Sequence, residues 1–312
     1  RYGERSIISN MKKLAFITQS YKNDYKECAL LCESMDRFLP KEIDHFIFVN
    51  DEDYDLFLSL HNEHHIVYKK STILPWWLIR CPFKVLGHHY HISPITIPVR
   101  EWIIQQICKL GVFEVIGNEY EAVFNIDSES IFMRPLNYST IIKDNKYLMY
   151  KTTNQCEPNY EEYCNAAKNL LHIPTSYNDI SKYNYMSTPV CFVQKNLNAM
   201  LQEIKKNSIW NSWKIALCNT YRFSENYLYG IFTTYKLQEE QHFSMDKYLF
   251  PLINLSQINS TEELKQEIQS KINDQEILGV LLQKSNRKKM NNNYFNFDKI
   301  KETVYNFWNN NI

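Results

Sequence analysis

The run Ala122-Val123-Phe124-Asn125-Ile126, followed by Asp127-Ser128-Glu129, constrains the fold more than any other stretch of the chain. Val123, Phe124 and Ile126 crowd together as they do in a strand buried on both faces, and such strands need a sheet covered by helices. The strand ends in two carboxylates one residue apart, then continues through Ile131 and Phe132 to Arg134-Pro135. Two oxygen donors at a sheet edge suit a hard divalent cation that also binds phosphate oxygens. Asp, Ser and Glu are equally at home in a solvated turn, so the rest of the chain has to choose between these readings.

The first half supplies a sheet of the right kind. Leu14–Thr18 is a short apolar strand, and the polar Gln19–Asp24 loop offers Asn23 or Asp24 as a helix cap. Apolar positions at Cys28, Leu31, Cys32, Met35 and Phe38 have helical spacing, and Pro40 closes that helix. Asp44–Val49 is a second strand, so the segment reads as a βαβ unit with parallel strands. Ligands of such sheets lie beyond the carboxyl ends of the strands, where Thr18, Gln19, Asn50 and Asp51 fall. His65–Tyr68 is a third strand. Residues 71–98 carry Pro75, Pro82, Pro94 and Pro98 and read as a long irregular loop or lid. Its His88, His89 and His91 lack a carboxylate or cysteine at ligand spacing and read as structural or acceptor-contacting groups. Arg100–Leu110 is a helix closed by Gly111, with Arg100 and Lys109 within possible reach of a diphosphate.

Farther on, Tyr147–Tyr150 reads as a strand, 160–172 as a helix, Val190–Val193 as a strand and 195–206 as a helix. Ser224 can cap the helix that Glu225 opens, which puts a carboxylate in the first turn. Beyond residue 250 the pattern is mainly helical, with an amphipathic stretch from 261 and a last helix carrying Ile300, Val304, Phe307 and Trp308. The basic tract 286–289 beside these aromatics allows a peripheral membrane contact, but a helix packed on the domain is the preferred reading.

Composition narrows the chemistry. Lys+Arg and Asp+Glu are both 35, so nothing in the net charge points to nucleic acid. With 6 Gly and neither GxGxxG nor GxxxxGK[ST], a glycine-built phosphate cradle is nearly excluded. None of the 8 Cys forms a CxxC pair, which suits reduced core thiols in a cytoplasmic protein. Residues 1–10 read as a leader before a start at Met11, and no apolar run is long enough to cross a bilayer.

Four segments resemble bacterial glycosyltransferases of the GT-A fold, of the kind found in capsule and lipopolysaccharide synthesis. They are the opening strand Leu14–Ser20, the helix Trp102–Leu110, the DxD-like Asn125–Pro135, and Phe223-Ser224-Glu225-Asn226-Tyr227-Leu228-Tyr229-Gly230. Together they span about residues 11–245. Glu129 stands where the second acid is usually Asp, and Asn226 where Tyr is more frequent.

The resemblance implies a GT-A-like α/β fold: a Rossmann-type, mainly parallel mixed sheet flanked by helices. It implies a nucleotide-binding part at 11–136, an acceptor part at 137–250 and a mainly helical extension at 251–312. The implied activity is sugar transfer from a nucleotide-sugar donor, with UDP the expected nucleotide, to a saccharide acceptor by an inverting course. Asp127, Glu129 and His242 would hold Mn2+ or Mg2+. Thr18, Gln19, Asn50 and Asp51 would surround the nucleoside, Arg100, Gln106 and Lys109 would meet phosphate or sugar, and Glu225 would be the general base. A sugar nucleotidyltransferase, or a carbohydrate-binding assembly protein with a degenerate site, are the alternatives.

Overall fold

The computed structural model describes residues 13–284, apart from 86, 156 and 175, and residues 296–310. The leader at 1–10, the start at Met11, Cys156, the basic tract 286–289 and the polar spacer 291–293 lie outside the described residues.

The protein is a mixed α/β structure built on a five-stranded sheet of order β11-β7-β1-β2-β3. Its strands are β1 (Lys13–Ser20), β2 (Asp44–Val49), β3 (His65–Lys69), β7 (Tyr120–Asn125) and β11 (Val190–Val193). The first four run parallel, and β11 closes the edge antiparallel to β7. Alternation along the strands gives the sheet two covered faces. Leu14, Phe16, Ala122 and Phe124 pack on the side of α1 (Tyr25–Phe38), with Leu31 and Met35. Ala15, Ile17, Phe46, Phe48 and Val123 pack on the opposite side, against Ile103, Ile104 and Ile107 of α2 (Glu101–Leu110). That second core also takes in α3 (Tyr160–Leu171), α4 (Gln194–Asn207), α5 (Trp213–Cys218) and α6 (Glu225–Tyr235).

The segment expected to be irregular contains a small antiparallel sheet of β4 (Ile79–Arg80), β5 (Tyr90–Ile92) and β6 (Val99–Arg100). Its strands are two or three residues long and flanked by prolines, so no period-2 pattern could develop in the sequence. Further on, β8 (Ser130–Phe132) leaves the central sheet. It pairs with β14 (Gly279–Gln283), which pairs in turn with β13 (Leu252–Asn254). A third small sheet joins β9 (Ile142–Lys143), β10 (Lys146–Tyr150) and β12 (His242–Met245).

The region beyond residue 250 therefore carries strands as well as helices α7 (Thr261–Ile272) and α8 (Phe297–Asn310). Its apolar side chains form one core with Leu30, Ile131 and Met133. Trp308 is buried, donates its indole N–H to the Phe132 carbonyl at 3.1 Å, and stacks edge-on with Phe38. The aromatic face considered for membrane contact is thus consumed inside the protein. No helix among the described residues is long and apolar enough to cross a membrane.

Candidate functional site

Strand β7 and helices α2 and α6 converge on a cleft of about 540 Å³. Helix α2 contributes Trp102, Gln105, Gln106 and Lys109, which share a face because they recur at helical spacing. The end of β7 contributes Asn125 and the following turn Asp127. Helix α6 presents its first turn, Glu225 and Asn226, preceded by Ser224. Glu157, Tyr163, Ser187, Thr188 and Tyr248 complete much of the wall.

An ion-paired triad lies in this cleft. The Lys109 ammonium donates to Glu225 Oε1 at 2.8 Å and stands 3.9 Å from Asp127 Oδ1. The Glu225 side chain is 5% exposed, whereas that of Asp127 is 50% exposed, so the pair joins a buried carboxylate to an open one. Burial pulls the Lys109 pKa down, but the charges of Glu225 and Asp127 outweigh it and leave the group above the ordinary lysine value. Lys109 is therefore a fixed positive charge facing the cleft.

Several polar atoms around it have no protein partner. They are Gln106 Oε1, Asn125 Oδ1, Ser224 Oγ and Asn226 Oδ1. Ser224 occupies the N-cap position of α6 as its sequence suggests, but its hydroxyl makes no capping bond. Buried polar groups are nearly always satisfied, and four orphans on one cleft mark a surface shaped for a polar ligand.

The expected site residues separate into those that meet here and those that do not. Gln106, Lys109, Asp127 and Glu225 meet. Glu129 does not: it lines a small separate cavity with Glu27, Lys284 and Leu282. Its backbone explains the turn, since the Glu129 carbonyl accepts from Leu282 N at 3.0 Å as β8 leaves for the C-terminal strands. Burial and the nearby Asp24 and Asp127 carboxylates push the Glu129 pKa up to about 7. Asp24 is itself raised to about 6 by burial, with Lys284 opposing and Asp127 adding to the shift. The surplus negative charge is what a hard cation would relieve, and the two motif carboxylates line different cavities.

His242 is likewise no third ligand. It is buried, its Nε2 meets the Tyr229 hydroxyl at 2.8 Å, and its Nδ1 meets the Tyr147 carbonyl at 3.1 Å, so both ring nitrogens are occupied. Thr18 is fully buried and bonds to the Ile126 carbonyl and to His45 Nε2, which removes it from any nucleoside contact. Gln19 keeps both amide atoms buried without a partner. Arg100 points to Tyr221, donating to its hydroxyl at 2.8 Å and covering its ring. Asn50 and Asp51 line a second cleft, of about 460 Å³, with Lys70, Arg80 and His91. Helix α2 borders that one too, through Glu101 and Ile104. Lys70 is buried there, donating to Asn50 Oδ1 at 2.9 Å.

Sequence reasoning missed Asn125, Ser187 and Thr188 as cleft residues, and took Ser224 as a helix cap and Asn226 as a departure from the family pattern. Asn125 had a signal: a polar residue inside an otherwise apolar buried strand.

A sequence profile for a family of unknown function, DUF6492, matches residues 8–263. The chain belongs to that family. No protein of curated function matches it in sequence. Three solved structures are similar to this chain at low identity. The 4-diphosphocytidyl-2C-methyl-D-erythritol synthase of Anaerococcus prevotii DSM 20548 is 11% identical, with a TM-score of 0.40, over 75% of this chain and 86% of that one. Mouse xyloside xylosyltransferase 1 is 9% identical, with a TM-score of 0.38, over 77% of this chain and 88% of that one. The bifunctional glycosyltransferase WbbM is 10% identical, with a TM-score of 0.45, over 96% of this chain but only 50% of that one.

Proposed function

We propose that this protein is a glycosyltransferase that moves a sugar from a nucleotide-sugar donor to a saccharide acceptor. The observation that carries the reading is the Lys109 ammonium, held between Asp127 and Glu225 in a cleft whose remaining polar atoms lack partners. A sugar offers hydroxyls to Gln106, Asn125, Ser224 and Asn226, and an apolar ring face to Trp102, Tyr163 or Tyr248. The diphosphate leaving group develops negative charge, which a desolvated ammonium stabilises. Glu225 is the base: it would take the acceptor hydroxyl proton as that oxygen attacks the anomeric carbon, consistent with an inverting course. The Asn50–Asp51 cleft on the other side of α2 is the proposed nucleoside end.

The motifs support placing the reaction in bacterial surface polysaccharide synthesis, in the cytoplasm. The expected Mn2+ or Mg2+ is the second reading. The mutual field of Asp24, Asp127 and Glu129 favours it, while the separate cavities of Asp127 and Glu129 favour Lys109 as the charge that meets the diphosphate.

The test is donor hydrolysis over a panel of nucleotide sugars, with Mn2+ and with EDTA. Turnover that survives EDTA and is lost in Lys109→Met supports the lysine reading; turnover abolished by EDTA supports the metal. No hydrolysis of any donor, together with no nucleoside diphosphate binding by calorimetry, removes the transferase proposal.

A further inference from the structure

A second cluster of chemistry-bearing side chains lies on the α1 face of the sheet, away from the cleft. His45 and His65 are in-register partners on the parallel strands β2 and β3, so their rings project side by side. Cys32 of α1 covers them. All three are buried, and their ligand atoms lie within 4.8 Å of one another. His45 Nδ1 is 3.0 Å from His65 Nδ1 and 3.9 Å from Cys32 Sγ.

The outer partners of the two rings admit two placements of the ring hydrogens. His65 Nε2 faces Asp36 Oδ1 at 3.1 Å. A carboxylate only accepts, so this Nε2 bears the hydrogen and Nδ1 the lone pair. His45 Nε2 faces Thr18 Oγ1 at 2.9 Å, and that hydroxyl donates its one hydrogen to the Ile126 carbonyl at 3.0 Å. With the Thr18 hydrogen so placed, Thr18 accepts from His45 Nε2–H, and His45 Nδ1 also bears a lone pair. In this first placement two lone pairs face each other in a dry interior, and a cation between them relieves the repulsion.

We propose that His45 Nδ1, His65 Nδ1 and the Cys32 thiolate bind a borderline-soft d10 cation of the Zn2+ class. Tetrahedral Zn2+, with Zn–N of about 2.0–2.1 Å and Zn–S of about 2.3 Å, separates two nitrogen ligands by about 3.3 Å and nitrogen from sulfur by about 3.6 Å. The observed 3.0 and 3.9 Å lie within a few tenths of an ångström of these values, and the third pair, Cys32 and His65, lies within 4.8 Å and closes toward the same nitrogen–sulfur separation on binding. An outer carboxylate or hydroxyl holding the far N–H of each histidine is the usual support of a metal-bound imidazole. Binding exchanges the Cys32 thiol proton, released to solvent, for the metal–sulfur bond. Burial favours the neutral form of both imidazoles, the form that ligates, whereas the Cys28 thiol and burial hold the Cys32 thiol well above its usual range, so the cation has to displace that proton. Such an ion fastens α1 to β2 and β3 and, through Thr18, to the Ile126 carbonyl next to Asp127. It is a structural clamp on the opposite face of the sheet and takes no part in the reaction proposed for the cleft.

The arrangement without metal rotates the Thr18 hydroxyl toward His45 Nε2 and lets His45 Nδ1–H donate to His65; Cys32 then has no part in the cluster. Co2+ titration of the full chain, with metal removed beforehand by chelator, separates the two. The proposal expects one equivalent bound at Cys32, with the thiolate-to-Co2+ charge-transfer band and the intense d–d absorption of a tetrahedral site. That band disappears in Cys32→Ser, remains in Asp127→Asn, and needs about 10–100-fold more Co2+ in Asp36→Asn. Absence of a thiolate band in the wild-type protein overturns the site, as does a band that survives Cys32→Ser. The wild-type titration decides the matter even if a variant fails to fold, and circular dichroism identifies such a variant.

Discussion

Lys109 and Glu225 are 116 positions apart in the chain and form the buried ion pair on which the cleft depends. Removing one partner leaves the other charge desolvated and alone, at a cost of about 3–5 kcal/mol. Lys109→Met should therefore lower unfolding free energy by about 3 kcal/mol in urea titration, and Lys109→Met with Glu225→Gln should recover most of that loss. Activity should not recover in the double variant; a double variant as unstable as the single would show that the pair is not electrostatically coupled. Glu225→Gln alone keeps the shape of the cleft and removes the base. Its expected signature is donor binding near wild type with transfer reduced about 10²–10⁴-fold, and transfer at the wild-type rate would remove Glu225 from that role.

At the scale of elements, α6 depends on a glycine that helix propensity disfavours. A Cβ on Gly230 would meet the Tyr185 ring at 2.3 Å, so the helix approaches that ring as closely as only glycine permits. In an open helix Gly→Ala stabilises by about 1 kcal/mol. Here the clash reverses the sign, and Gly230→Ala should destabilise by about 1–3 kcal/mol. Because α6 begins with Glu225, the same change should displace the base and lower transfer. A stabilising Gly230→Ala in thermal melts would contradict this packing.

Across the whole molecule, the C-terminal strands and helices complete the fold that carries the site. Trp308 packs into the core shared by α1, β8 and α7, and Trp308→Ala should cost about 3–5 kcal/mol. The acidic group beneath the cleft gives the protein a pH dependence of definite sign. Folding raises the Glu129 pKa from 4.5 to about 7 and the Asp24 pKa from 3.8 to about 6. The unfolded chain thus releases protons that the folded one retains, so stability is greatest below the unfolded values and declines as pH rises toward about 7. Glu129→Gln should flatten the fall in melting temperature between about pH 5 and pH 8. If Mn2+ or Mg2+ binds this group, it should raise the wild-type melting temperature at the upper pH. An unchanged slope in Glu129→Gln would show that the carboxyl titrates normally.

Local periodicity was enough to read the βαβ start, the apolar strand β7, the helix that carries Gln106 and Lys109, and the helix that Glu225 opens, because each pattern is written within a few turns or pleats of one segment. Asp127 was legible too, since a carboxylate that ends a buried parallel strand must leave the sheet at its ligand-binding edge. Tertiary structure alone decided the rest. Glu129 parts from Asp127 because β8 is drawn away to pair with β14, about 150 residues later. His242 turns inward to Tyr229, and Thr18 to His45, because register and long-range packing set which polar groups find partners inside. The union of Lys109 with Glu225 and the meeting of Cys32 with His45 and His65 arise in the same way, from chain paths that no sequence spacing records.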